Sequence, residues 1–295
     1  MKIEKILFPT KFRELAFDSL ESLLVLKEVG LKEVVLYYVI PREEISFVPY
    51  GGYLKQEEER IREEARIRFE DWQKSLSAKG IDSKIIIEVG EPVPNILKVA
   101  EKEKVNLIII GKKKKIGHEG HFIGSRTLQV ITRSKIPTLV SKYMVQFERD
   151  GEVVTQINKD VFKRPILSTD WSEPSERALN LLISLNGLVE KAFVCHTIGV
   201  KIAKAIDKSE LHRIEKESKE RLEKYCERLK SAGISAESHL GAGRTTLEII
   251  RIARDVKASM IIMGTTGKDR LHELWLGSVS HRVSAMSELP TLLVP

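Results

Sequence analysis

The residues of this chain best suited to chemistry lie between Met263 and Ser278. Met263-Gly264-Thr265-Thr266-Gly267-Lys268 leads, after an intervening stretch, to Gly277-Ser278. Met260 to Met263 is a short apolar run and reads as a strand, and Gly277-Ser278 reads as the opening of a helix. Glycines at 264 and 267 let the backbone approach a ligand with no Cβ in the way. A helix start offers unpaired N–H groups and the positive end of its dipole, and Ser278 adds a hydroxyl. Strand, glycines, helix start is therefore an order that suits a phosphate, and Lys268 or Arg270 could add charge to it. A second group precedes it, Ser168-Thr169-Asp170-Trp171-Ser172-Glu173-Pro174-Ser175. A carboxylate accepts hydrogen bonds from ribose hydroxyls, but an aspartate after a strand also serves as a turn or helix cap. By residue type alone, the two readings of Asp170 stand level.

Other chemistries lack their residues. No Gly-x4-Gly-Lys-Ser/Thr loop is present, no Gly-x-Gly-x-x-Gly follows the first strand, and there is no Gly-x-Ser-x-Gly elbow. No general base is placed for a strong hydrolase. His118 and His121 have no further ligand cluster to make a metal site, and Cys195 and Cys226 lack metal spacing. Two cysteines point to a reducing, cytoplasmic setting without a disulfide framework.

The elements that must position these residues occur twice. Ile6-Leu-Phe-Pro-Thr10-Lys11-Phe12 matches Pro165-Ile-Leu-Ser-Thr169-Asp170-Trp171, and Val34 to Ile40 matches Ala192 to Ile198. Leu107 to Gly111 matches Met260 to Gly264, Gly124-Ser125 matches Gly277-Ser278, and Ile136-Pro137 matches Leu289-Pro290. Runs such as Val34 to Val39 have few polar interruptions, which marks strands buried on both faces of a parallel sheet. Helical periodicity over Leu54 to Ala78 stops at Gly80, and over Glu210 to Ala232 at Gly233. Strand–helix alternation predicts a doubly wound sheet, with ligands beyond the C-terminal strand ends at the switch point. Thr169-Asp170, Thr197 and Gly264 are all expected just past such an end. Between the copies, Asp150-Gly151 separates two apolar-rich runs and predicts a hairpin in a linker, one that could extend a sheet or pack on a partner chain.

The spacing Gly-x2-Gly-x9-Gly-Ser, together with the Ser168 to Ser175 segment, resembles the universal stress protein family. The resemblance implies an α/β fold of two tandem, doubly wound, parallel five-stranded sheets, Rossmann-like and of the adenine-nucleotide α-hydrolase type. The divisions read as a degenerate domain over 1–142, a linker over 143–162 and a nucleotide-binding domain over 163–295. It implies that Asp170 lies near the ribose or adenine with Ser168 and Thr169 beside it, and that the Thr197 backbone meets the adenine edge. Met263, Gly264, Gly267, Lys268, Gly277, Ser278, Val279 and Ser280 complete the implied nucleotide site. The ligand is ATP or AMP, with Mg2+ accompanying ATP, and the role is regulatory binding in a stress response. Occupancy would order the Gly264–Gly277 loop and change a surface offered to a protein partner. The family commonly pairs domains through their last strands, so Ile136 to Val140 and Leu289 to Val294 are expected to form an intrachain pseudo-dimer. A homodimer of whole chains is a further expectation. Two alternatives stay open: a slow ATP hydrolase or α-phosphate enzyme, and a scaffold that works without nucleotide.

The first copy departs from the pattern where ligand chemistry would need it. Lys11 replaces the acid, Arg13 a small polar residue and Lys114 the second glycine, while Gly111, Gly124 and Ser125 remain. A lysine offers donors only, so weak or absent nucleotide binding is expected there, with Lys112 to Lys115 as the competing site for another anion. The net charge of +7 is spread over Lys and Arg interleaved with Glu along helices, a solvated face rather than a nucleic-acid groove. No apolar run is long enough for a membrane span, and Glu4 interrupts any signal-like start. At 295 residues the chain accommodates two domains.

Overall fold

The computed structural model describes residues 2–13, 15–47, 52–53, 55–111, 124–142, 144–149, 152–200, 206–266 and 277–295. The first half runs β1 (Lys5–Pro9), α1 (Ala16–Glu21), β2 (Glu33–Pro41), α2 (Arg42–Ile45), the short pair β3 (Ser46–Phe47) and β4 (Gly52–Tyr53), and α3 (Lys55–Ala78). It continues through β5 (Asp82–Gly90), α4 (Pro92–Lys102), β6 (Leu107–Gly111), α5 (Ser125–Arg133) and β7 (Thr138–Ser141). A hairpin of β8 (Met144–Arg149) and β9 (Glu152–Ile157) follows, with Arg149 opposite Glu152. Its turn, Asp150-Gly151, lies outside the described residues. The second half is β10 (Pro165–Ser168), α6 (Glu173–Ile183), β11 (Ala192–Gly199), α7 (Lys208–Ser231), β12 (Ala236–Gly243), α8 (Thr245–Asp255), β13 (Met260–Gly264), α9 (Ser278–Met286) and β14 (Thr291–Val294).

Local chemistry explains these limits. The apolar strands β1, β2, β6, β10, β11 and β13 bury residues in unbroken runs because helices cover both faces. Asp207 caps α7 by accepting from the Glu210 N–H at 2.8 Å. Gly80 (φ 67°) and Gly233 (φ 84°) turn the chain after α3 and α7 into the left-handed region that a side chain disfavours. Along α3, Arg60 pairs with Glu57 and Glu64, and along α7 Arg213 pairs with Glu210 and Glu217. These exposed pairs add little stability each, but they absorb much of the charge seen in the sequence. Among the described residues, no helix is long and apolar enough to cross a membrane.

Each half has the same strand order. Together the halves read β12-β11-β10-β13-β14-β7-β6-β1-β2-β5 in one sheet. The two five-stranded sheets expected from the sequence are thus joined: β14 pairs antiparallel with β7, setting Thr291 against Val140 and Leu293 against Thr138. Every residue of both strands is buried, and leaving two such edges open would invite pairing with any other chain. Every other neighbouring pair in this sheet is parallel. On one face a single apolar cluster crosses the join, bringing Leu20, Leu23 and Leu26 together with Leu179, Leu182 and Leu185. The other face holds two clusters, one within the first half and one that gathers second-half residues with Ile131 and Val140 of the first.

Candidate functional site

In the second half, the switch point of the sheet falls between β10 and β13, which run side by side with Ser168 opposite Met263. The chain leaves β10 through a tight turn. Thr169 N donates to Cys195 O (2.9 Å), Trp171 takes φ 65°, and Trp171 N donates to Thr169 Oγ1 (3.0 Å). Asp170 Oδ1 then accepts from Ser172 N (3.1 Å), Ser172 Oγ (2.5 Å) and Ser175 Oγ (2.7 Å). Asp170 therefore performs the turn and helix-entry role, fixing the start of α6. Its half-buried carboxylate is held in place by this network. Trp171 is packed by the His196 ring at 5.0 Å, the Tyr225 ring edge-on at 5.2 Å and the Arg221 guanidinium at 5.3 Å. His196 Nδ1 lies 2.8 Å from Thr169 O, which ties the interior of β11 to the turn after β10. Burial, and then the hydrogen bond to Glu176, push the Tyr225 hydroxyl up to about 12. Burial likewise pushes the Cys195 thiol to about 12 although Ser168 hydrogen-bonds to it.

The other wall begins at Gly264. A Cβ there would lie 2.8 Å from Pro174 Cβ and 3.1 Å from Ser175 N. Glycine is required because the first turn of α6 presses on the end of β13, which is a different reason from the ligand approach read in the sequence. Thr265 O then receives Gly277 N (2.7 Å) and Ser280 Oγ (2.8 Å). Gly277 sits tightly in this lock, since a Cβ would be 3.1 Å from Thr265 O and 3.2 Å from Ser280 Oγ. The strand end and the start of α9 are consequently clamped together across the intervening segment. The clamp also reaches the Asp170 turn, where Ser172 Oγ is 3.4 Å from Thr266 O.

The sequence-named residues divide accordingly. Ser168, Thr169, Asp170, Met263, Gly264, Gly277, Ser278, Val279 and Ser280 gather around the ends of β10 and β13 and the start of α9. Ser278 is exposed, whereas Ser280 is buried with its hydroxyl committed to Thr265 O, and Val279 packs on the core. Thr197 does not follow its strand but lies inside β11, paired with Gly241, because the ladder continues to Gly199. Its buried Oγ1 has no hydrogen-bond partner among the described residues, and a Cβ on Gly241 would sit 3.4 Å from it. Gly267, Lys268, Arg270, Lys112 to Lys115, His118 and His121 lie outside the described residues. Sequence reading placed Pro174, Ser175 and Thr265 within the motifs but assigned them no role. Ser175 carried a signal, a small hydroxyl in the first turn after an aspartate, but Thr265 acts through its backbone carbonyl and had none.

The first half keeps the backbone of this arrangement. Thr10 N donates to Tyr37 O (2.9 Å), Phe12 takes φ 51°, and Phe12 N donates to Thr10 Oγ1 (3.0 Å). Lys11 stands where Asp170 does, and its ammonium is pushed below the ordinary lysine range by partial burial and by the Arg126 guanidinium. Tyr37 occupies the Cys195 position and is fully buried. Its hydroxyl donates to Glu88 Oε2 at 3.1 Å, and Glu88 stands where Gly241 does in the other half.

The sequence model of the universal stress protein family matches residues 2–142 and 162–295. Universal stress protein MJ0577 of Methanocaldococcus jannaschii is 35% identical over 153 residues, 47% of this chain and 94% of that protein. Universal stress protein MJ0531 of the same organism is 28% identical over 142 residues, 46% of this chain and 84% of its own. Among solved structures, a universal stress protein from Archaeoglobus fulgidus superposes with a TM-score of 0.69 at 23% identity, over 98% of this chain and 95% of that one. This last likeness is one of fold.

Proposed function

The chain belongs to the universal stress protein family, and from that premise we propose that its second half is a regulatory binding site for an adenine nucleotide, ATP or AMP. The observation that carries this reading is the clamp at Thr265, which fixes the start of α9 beside the Asp170 turn at the sheet's switch point. The first turn of a helix presents N–H groups and positive dipole to an anion. The clamp spends Gly277 N internally, so the donors assigned to phosphate are those of Ser278, Val279 and the residue after them in the turn, with the exposed Ser278 hydroxyl. Asp170, held in its turn by Ser172 and Ser175, is the acceptor assigned to ribose. The nucleotide supplies the negative charge, and Mg2+ arrives on its phosphates when it is ATP. Occupancy changes the surface met by a protein partner during stress in the cytoplasm. Hydrolysis, if measured, is expected to be slow.

Acid extraction of freshly purified protein, followed by chromatographic quantitation, tests this directly. About one adenine nucleotide per chain is expected, on the order of the single binding-competent helix start argued above, and it should be lost in Asp170→Ala. Protein that releases none and takes up neither ATP nor AMP in calorimetry would leave the scaffold reading in its place.

A further inference from the structure

Lys142 follows β7 in the first half, yet its side chain ends in the second. It is 7% exposed, and its Nζ donates to the carbonyls of Ser287 (2.6 Å) and Ser284 (3.2 Å). Those carbonyls belong to the last turn and C-terminal cap of α9. Helix-end carbonyls lack intrahelical donors and carry the negative end of the dipole, so an ammonium satisfies both needs. α9 has no basic residue of its own in that turn, whereas its counterpart α5 has Arg133. Met286 fills the Arg133 position in α9. The exchange runs one way, because the position matching Lys142 in the second half is Pro295, which has no side-chain donor. α9 is also the helix whose first turn the Thr265 clamp presents outward. The helix is 9 residues long, about 13 Å at the helical rise.

We propose that Lys142 is a positioning residue for the second-half site: the first half supplies the cation that anchors the C-terminal end of α9, and through it holds the phosphate-facing N-terminal turn in place. The inference rests on the nucleotide reading above. It gives the first half a task that survives the loss of its own ligand residues.

The test compares full-length wild type with Lys142→Gln, Lys142→Arg and Arg133→Gln by calorimetric titration with ATP and AMP. Lys142→Gln is expected to weaken binding roughly tenfold, Lys142→Arg to recover most of that, and Arg133→Gln to leave it unchanged. Amide hydrogen exchange without nucleotide is expected to quicken over 278–287 in Lys142→Gln and to stay slow in Lys142→Arg. If Lys142→Gln does not fold, adding Met286→Lys in that background returns a cation to the same turn and should restore both folding and binding. Wild-type affinity in a folded Lys142→Gln, or a tenfold loss that Lys142→Arg does not repair, overturns the proposal. A wild type that binds neither nucleotide fails the underlying reading instead, and is told apart because no variant is needed to see it.

Discussion

The two halves share a backbone and differ in what they attach to it. Phe12 and Trp171 make the same left-handed turn after the first strand, and Gly124 and Gly277 precede their helices with φ −59° in both cases. Around these matched frames the packing diverges. Gly264 is pressed by α6, eleven residues long, while among the described residues nothing lies within 4 Å of a Cβ built on Gly111, where α1 has only six residues. Cys195 and Gly241 in one half correspond to Tyr37 and Glu88 in the other, which hydrogen-bond to each other. The lesson is that the helix start and the turn are properties of the fold and do not depend on the side chains packed around them. The polar contacts and close packing that would make them a site are separate and can be lost.

The largest effect expected from breaking this contrast is at the two glycines. Gly264→Ala must displace Pro174 or the start of α6 and should cost about 2 kcal/mol in chemical denaturation, with loss of nucleotide binding. Gly111→Ala, with open space around it, should change stability by less than about 0.5 kcal/mol. Equal costs would mean that the halves are packed alike after all. Next comes Asp170→Ala, which strips the acceptor from Ser172 and Ser175 and, at a half-buried site, should destabilise by roughly 1 kcal/mol. Asp170→Asn keeps an acceptor and should recover most of the stability while still binding nucleotide more weakly, which separates the turn from the ligand.

A sharper probe is Lys11→Asp. It installs the missing acid and removes the crowding with Arg126 and Arg13, yet Tyr37 and Glu88 remain. Extraction should still yield the same nucleotide content per chain as wild type. A doubled content would show that Lys11 alone keeps the first half empty. The smallest effect is in pH. Tyr225 titrates near 12 when folded and near 10 when unfolded. The folded state therefore keeps a proton that the unfolded state has lost, and stability present below pH 10 declines as pH rises towards 12. Tyr225→Phe should flatten part of that decline in denaturant midpoints, and an unchanged slope would refute the assignment.

Much of the fold was legible because it is written in side-chain type. Apolar runs such as Leu107 to Ile110 and Met260 to Met263 mark buried strands, and the register of the repeat follows from Gly80 and Gly233, which end matching helices. The union of the two sheets through β7 and β14 was legible only as a contact expected of the family, since nothing in Thr138 to Ser141 encodes antiparallel pairing with Thr291 to Val294. At the site, glycine at 264 announced a close approach but not its partner, which is Pro174. Thr265 was silent because its carbonyl is the working group. Lys142 was silent because its partners lie in the other half, far along the chain.

The antiparallel seam between β7 and β14 also bears on inheritance. Two identical chains meeting about a two-fold axis must carry every substitution twice, on both sides of the seam. Here the same meeting occurs within one polypeptide, so each side mutates alone. Lysine stands at 142 with proline at 295, and an acid stands at 170 with lysine at 11. A pair held within one chain is free of that symmetry, so one half can serve as the other's support.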